Sequence, residues 1–399
     1  MNKKLLALAV AGAFAAPLAM ADTSNVTIYG TINMSVDSVD GGSFSAPGTP
    51  AQSATAERRT RISSNNSNLG FKGTEDLGNG LSAIWQYETA IAFDEQSRDS
   101  IGNSDSRGTT GARNTFAGFS SKTMGALTFG NQESPMKTSI SKLDMFANTI
   151  GDYRTLIGPQ VRMASSALYA SPSFGGFDFK VGYSARNEAG NDATTGSVSD
   201  PSYWSGSLTY ANGPILAAVA HEVEKGVTAA ATATSTLIVN GVPATITVST
   251  PAADTKQTTS RAGFGYNFGV AKVGLGWNTT KLNNNVTSTS TKVNSWLLSG
   301  AYNIGKTTLK GQYVRSSDTK GNTVSSEGAK QWTLGADYSL SKRTNLYALY
   351  TVLKNNSASS RTLGNNGTVL GGNTGIATVS AAGAGQDPKA ISVGFVHSF

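Results

Sequence analysis

The chain has 399 residues, a formal net charge of +7, 14% charged side chains, 45 glycines and no cysteine. Without cysteine there is no disulfide framework and no thiolate metal site, and so mild a positive balance spread over this length does not point to nucleic acid. The 13 tyrosines and 15 phenylalanines, set in a chain poor in strong helix formers, favour strands, with a soluble secreted β protein still open at this point.

Met1 to Ala21 carries the Lys3-Lys4 pair, an apolar run from Leu5 to Met20 and the small-x-small ending Ala19-Met20-Ala21. This is the plan of a secretory signal peptide, so a mature domain is expected over residues 22–399. Past Ala21 no stretch approaches the roughly 20 apolar residues a spanning helix needs. A membrane-resident form of this chain would have to be a closed barrel.

From Val26 onward apolar and polar residues alternate strictly. Val26, Ile28, Ile32, Met34 and Val36 share one face, and Thr27, Tyr29, Thr31, Asn33 and Ser35 the other. Leu81 to Phe93 repeats the pattern, as do the runs at Phe177 to Arg186, Tyr203 to Tyr210, Ile215 to Glu222, Arg261 to Phe268 and Lys272 to Asn278. More follow at Trp296 to Ile304, Thr308 to Arg315, Gln331 to Ser339 and Leu346 to Val352. With weaker runs at Arg58 to Gly73, Arg113 to Ser121, Ala126 to Asn131 and Arg162 to Ser171, and a last strand at Lys389 to Phe399, about 16 strands are predicted. The expected fold class is all-β: in a transmembrane antiparallel barrel the greasy face meets lipid and the wet face lines a lumen, while in a soluble sandwich the greasy face would pack on a second sheet.

Connections alternate in length. Tight turns such as Asp76 to Gly80, Asn212-Gly213 and Gly305-Lys306 are interleaved with long polar loops at Ser38 to Glu57, Gln132 to Val161, Lys225 to Ser260 and Asn355 to Pro388. That asymmetry is the pattern of periplasmic turns and external loops. Lys225 to Ser260 reads as a solvated loop with a weak hairpin at Leu237 to Val242, and Asn355 to Pro388 as a solvated loop.

Two catalytic-looking features fail on context. Gly300 to Thr307 matches the P-loop pattern, but alternation on both sides makes it strand, turn and strand with no helix to receive phosphate. His221 and His397 stand in strands outside any catalytic motif, and their spacing fits no two-histidine zinc site. No enzyme activity and no cofactor are expected.

The last strand places Ile391, Val393, Phe395, His397 and Phe399 on one face. A terminal aromatic on such a strand resembles the signature by which outer-membrane assembly machinery recognises its clients, which makes Phe399 the candidate assembly signal. Val26 to Gly30, Gly70 to Leu81, Arg113 to Phe119, Leu168 to Pro172 and Gly394 to Phe399 resemble blocks of the Gram-negative general-diffusion porins. The resemblance implies a 16-stranded barrel in the outer membrane, a homotrimer in contact with membrane lipid and lipopolysaccharide, and a third external loop folded inward as the constriction. Gln132 to Val161 stands at that loop's place in strand order, with Glu133, Asp144 and Asp152 as acidic candidates. Arg58, Arg59, Arg61, Lys72 and Arg113 are the candidates for the basic wall opposite.

Two departures weaken the expected filter. Ser67-Asn68-Leu69-Gly70 and Gly130-Asn131-Gln132 have asparagine where the family commonly has arginine. The expectation is a water-filled channel for ions and small hydrophilic solutes with a weak anion preference, to which Arg113 and Arg61 contribute. Two alternatives stay open: a solute-specific channel using Tyr29 and Tyr347, and a non-conducting structural or adhesive barrel.

Overall fold

A computed structural model describes residues 25–41, 43–45, 53–55, 58–91, 93–94, 113–159, 161–185, 202–228, 231–239, 242–250, 253–285, 287–321, 325–364 and 384–399. The expected signal peptide and parts of the long loops lie outside these residues. Strict alternation produces a closed antiparallel barrel of sixteen strands, because a sheet that hides every edge satisfies all its backbone groups without water.

In chain order the strands are β1 (Asn25–Asp40), β2 in two pieces (Arg59–Ser64 and Asn68–Asp76), β3 (Leu81–Ala90), β4 (Thr115–Ser121), β5 (Gly125–Glu133), β6 (Arg162–Ala170), β7 (Phe177–Ala185) and β8 (Ser202–Asn212). They continue as β9 (Ile215–Thr228), β10 (Ala253–Asn267), β11 (Ala271–Asn284), β12 (Thr289–Ile304), β13 (Thr307–Ser316), β14 (Ala329–Ser339), β15 (Thr344–Asn355) and β16 (Lys389–Ser398). Both pieces of β2 pair with β1, and the break between them is a bulge in which Asn66 takes a left-handed backbone at φ 62°. Closure comes from β16 on β1, in register from Thr31 opposite Ser398 to Asp40 opposite Lys389.

Alternation sorts the two faces as expected. Val26, Ile28 and Val36 are exposed outward, whereas Asn33, Ser35 and Asp37 are buried inward. Gly300 to Ile304 is strand, Gly305 turns with φ 59°, and β13 follows at Thr307, so the P-loop lookalike is a hairpin. The His221 ring meets Ser260 Oγ at 2.9 Å and the His397 ring meets Thr344 Oγ1 at 2.9 Å, each beside a strand neighbour.

The segment read as a solvated loop from Lys225 to Ser260 is corrected. β9 runs on to Thr228, β10 starts at Ala253, and Ala231–Val239 pairs with Val242–Thr250 as a separate hairpin. The hairpin expected at Leu237 to Val242 is its turn end; the many threonines and valines suit longer extended pairing, and the polarity of threonine masked that length in the sequence.

The apolar core lies inside the barrel. Ile140, Leu143, Phe146, Ile150, Leu156 and Ile157, from the connection between β5 and β6, pack on inward Leu297, Val314, Leu349 and Leu353. Leu363, in the connection after β15, joins the same cluster fully buried. That connection, read from sequence as solvated, therefore dips into the lumen along its described part.

Candidate functional site

The connection from Ser134 to Val161 folds inward and is fastened at three levels. At its start Ser134 Oγ accepts from Lys137 N at 3.1 Å and caps α1 (Pro135–Ser139), which brings Pro135 and Met136 against the wall. Isoleucine 140 fits because Gly263 has no side chain: a Cβ there would lie 2.4 Å from Ile140.

Along its length, wet-face side chains satisfy loop backbone groups that would otherwise be buried without partners. Ser299 Oγ donates to Leu143 O at 2.6 Å, Ser295 Oγ to Leu156 O at 2.9 Å, and Gln312 Nε2 to Gly151 O at 3.3 Å. Arg261, on β10 and 2% exposed, holds both ends of the loop together. It donates through Nη1 to Met136 O at 2.9 Å and through Nη2 to Gly158 O and Pro159 O at 3.3 and 3.2 Å, while Nε donates to Asn278 Oδ1 at 3.0 Å.

At the tip the loop reaches the opposite wall. Asn33 Nδ2 on β1 donates to Asn148 O at 2.7 Å, and Asn66 Nδ2 in the β2 bulge donates to Asn148 Oδ1 at 2.6 Å. The loop's apolar side thus covers β10 to β15, and its charged side faces the strands from β2 to β6.

The charges on that open side form a group of two bonded clusters, one around Glu88 and Asp152 and one around Glu133. Arg113 donates to Asn66 Oδ1 at 2.6 Å and pairs with Glu88, whose other oxygen accepts from Tyr29 Oη at 2.9 Å. Glu133 pairs with Lys137 at 2.8 Å and with Arg162 at 3.2 Å. Arg154 chelates Asp152 and donates to Asn148 Oδ1 at 2.9 Å. The side chains of Glu88 and Asp152 are only 9% and 1% exposed, so within this group Glu133, at 28%, is the most exposed carboxylate. Four cations, Arg113, Lys137, Arg154 and Arg162, stand against three carboxylates, two of them covered. Burial pushes the Lys137 ammonium down to about 8, against the pull of Glu133.

The expected residues fall in different places. Arg113, Glu133 and Asp152 belong to this group. Arg61 is inward but lies further toward the long loops, paired with Asp37 at 3.4 Å, and Arg59 shares its face one pair beyond. Lys72 lies on the other side, its Nζ 5.2 Å from the centre of the Tyr29 ring. Gly70 makes room for that ring, since a Cβ there would stand 2.2 Å from it. Arg58 belongs to a pocket with Lys389, Tyr350 and Ile391 on the outer face and not to the lumen wall.

Asp144 and Asp152 serve the loop's own turns: Asp144 accepts from Phe146 N at 2.9 Å and Asp152 from Asn148 N at 2.8 Å. The loop needs internal acceptors for its tight turns, and both carboxylates serve there, Asp152 while also holding Arg154.

Arg162 was absent from the expected wall, yet its signal was available. Strands flanking an inward loop are neighbours, so the residue leaving the loop stands opposite the one entering it, and Arg162 is in register with Glu133. Asn131, found where arginine was expected, donates to Arg113 O at 3.0 Å and so positions a charge it does not carry.

Comparison with known proteins agrees with this fold. The Gram-negative porin family model matches residues 7–358. Outer membrane porin protein 32 of Delftia acidovorans is 30% identical over all of both chains. The major outer membrane protein P.IB of Neisseria meningitidis serogroup B is 35% identical over 48% of this chain and 51% of its own. Among solved structures, the anion-selective porin from Comamonas acidovorans superimposes with a TM-score of 0.69 at 26% identity, over 94% of this chain and 100% of that one. The trimer form of OmpT from Vibrio cholerae gives 0.63 at 17% identity over 95% and 100%.

Proposed function

The chain belongs to the Gram-negative porin family and is an outer-membrane diffusion porin, and from that premise we propose that its constriction gives a weak preference for anions. The observation that carries this reading is the excess of cations at the loop's open side, four against three carboxylates. A passing ion exchanges part of its hydration for the field of the side chains at the narrowest point. Arg113, Lys137, Arg154 and Arg162 set a positive field there, and their own ion pairs keep it shallow. Arg61 adds to it from the external vestibule. The relative from Comamonas acidovorans is itself described as anion-selective.

Passage is passive and the channel catalyses nothing. The working unit is a homotrimer, in keeping with the trimeric relative, and the barrel assembly machinery reads Phe399 during biogenesis. Bilayer recordings of the purified oligomer in a salt gradient test the reading. Three equal conductance steps and a small reversal potential of anion sign are expected. A cation-signed potential overturns the selectivity, and no conductance at all would favour the structural or adhesive alternative.

A further inference from the structure

Beside the inward loop, on the side turned away from the constriction charges, lies a cleft of about 150 Å³. Its walls are the loop's return at Leu156 and Gly158 and the inward faces of β11 and β12, where Asn278 stands opposite Ser295, Thr280 opposite Val293, and Leu282 opposite Thr291. Thr319 and Arg361, from the connections after β13 and β15, complete it on the external side.

The polar groups divide by depth. At the inner end they are committed: Asn278 Oδ1 accepts from Arg261 Nε at 3.0 Å, Asn278 Nδ2 donates to Thr280 Oγ1 at 3.2 Å, and Ser295 Oγ donates to Leu156 O at 2.9 Å. At the outer end they are not. The Thr291 and Thr319 hydroxyls and the Arg361 guanidinium have no hydrogen-bond or ion-pair partner among the described residues. Arg361 is nevertheless held in place. Its backbone N–H donates to Asn355 Oδ1 at 3.2 Å, its carbonyl accepts from Asn355 Nδ2 at 3.0 Å, and two residues on Leu363 is buried in the core under the loop. Burial disfavours the charge, and Glu327 offsets that only in part, from beyond ion-pair distance. A half-buried cation on a fixed backbone, with no carboxylate paired to it, calls for an anion from outside the chain.

The rest of the cleft limits what that anion is. One guanidinium neutralises one charge, and a second negative charge would find no other cation among the lining residues and would meet the field of Glu327. Leu156, Leu282 and Val293 line the middle, so a bare inorganic anion leaves apolar wall uncovered. The volume is that of roughly five waters, which admits only a short chain.

We propose that this cleft is a saturable site for a short-chain hydroxy monocarboxylate, with its carboxylate on Arg361, its hydroxyl on Thr291 and Thr319, and its hydrocarbon against Leu156, Leu282 and Val293. Guanidinium suits a carboxylate because it offers two parallel charge-assisted hydrogen bonds. The site goes beyond the anion preference of the constriction and rests on the porin reading only for access from outside.

The test uses the purified folded oligomer in detergent with 3-hydroxybutyrate as probe, read by saturation-transfer difference NMR. Butyrate, neutral 3-hydroxybutyramide, succinate and inorganic phosphate are the controls. Saturable binding with a Kd on the order of 1–10 mM is expected for so small a ligand. The amide should bind at least about tenfold more weakly, and butyrate about three- to tenfold more weakly. Arg361→Gln should weaken 3-hydroxybutyrate at least about tenfold, and Arg361→Lys should recover part of that loss. The combined variant Thr291→Val, Thr319→Val, on different elements from Arg361, should bring 3-hydroxybutyrate to the level of butyrate and leave butyrate where it was.

Equal binding of acid and amide, unchanged binding in Arg361→Gln, or tighter capture of succinate or phosphate overturns the proposal. Arg113→Gln removes a cation of the constriction instead and should stay within about twofold of wild type; loss of binding there moves the ligand to the constriction and overturns the site as well. Conductance without saturable binding overturns this site and leaves the pore standing, whereas saturable binding by a barrel that does not conduct does the reverse.

Discussion

Arg261 carries a charge into a position with 2% exposure and spends four of its hydrogen bonds on three carbonyls and an amide. Replacing it with methionine keeps the volume and leaves those acceptors unpaired, at roughly 1–3 kcal/mol for each buried group. Arg261→Met should therefore free both ends of the inward loop, seen as larger and noisier single-channel conductance and a lower unfolding temperature. Arg261→Lys, which reaches fewer of the carbonyls, should fall between. Lys137 makes the charge at the constriction depend on pH. Its ammonium, lowered to about 8 by burial, faces Glu133 from β5, Arg162 from β6 and Arg154 from its own loop. Below that value it is cationic and adds to the positive field; above it the charge is lost while the guanidinium groups keep theirs. The anion preference should shrink as pH rises from 6.5 to 9.5, and Lys137→Met should flatten that dependence at the weaker end. A preference that grows with pH would contradict the assignment. At this scale the sequence was readable where a residue's neighbours are local in strand order, as for Arg113 and Glu133. It was opaque for Arg261, whose loop partners lie more than a hundred residues away, and for Asp144 and Asp152, since residue type alone does not say whether a carboxylate faces water or its own turn.

The strands were legible because each carries a period of two whose faces meet different solvents, and no tertiary contact can reverse that without slipping the register. The inward loop was placed only by its position in strand order, although its composition held a further clue. Ile140, Leu143, Phe146, Ile150, Leu156 and Ile157 are too many apolar residues for a solvated loop, and all are buried against the wall. The hairpin between β9 and β10 was read only at its turn, Leu237 to Val242, and its length was missed for the opposite reason, because its threonines look polar while pairing well. The loop behaves as the lid of a small core inside the barrel, and Leu143→Ala should cost it about 2–5 kcal/mol. The barrel does not depend on that core for its hydrogen bonds, so the expected outcome is a split: strand content unchanged by circular dichroism, and the loop newly open to protease at Lys142. Leu363 makes a second element-scale case. It enters the same core, and Gly364 N donates to Thr155 Oγ1 at 3.2 Å, so the connection after β15 rests on the inward loop and narrows the external side of the path. Leu363→Asp should lift it away and raise conductance with little change in reversal potential, because the charges at the constriction stay where they are.

For the whole molecule the decisive contact joins the two ends of the chain. Gly30 N donates to Phe399 O at 3.1 Å and Phe399 N to Gly30 O at 3.1 Å, and the Phe399 ring occupies the space that a Cβ on Gly30 would need, 2.5 Å away. A barrel gains its freedom from edges only when this last pairing forms, and until then β1 and β16 both offer unpaired backbone groups to other chains. Phe399 therefore has two separable tasks: it closes the sheet physically, and in the proposed reading it is the mark recognised by the assembly machinery. Removing residue 399 deletes two backbone hydrogen bonds and one ring contact near the periplasmic end, where a loss of about 1–3 kcal/mol is expected. In vitro, the truncated chain refolded into detergent should still form the barrel and lose its heat-resistant electrophoretic form at a somewhat lower temperature. In cells, the amount assembled in the outer membrane should fall far more steeply than that modest loss predicts, since recognition precedes closure. Phe399→Leu sharpens the comparison by keeping both backbone hydrogen bonds and much of the apolar contact while removing the ring. If that variant refolds like wild type and still accumulates unassembled in the periplasm, the aromatic ring is read as a signal; if it assembles normally, the terminal residue acts through closure alone.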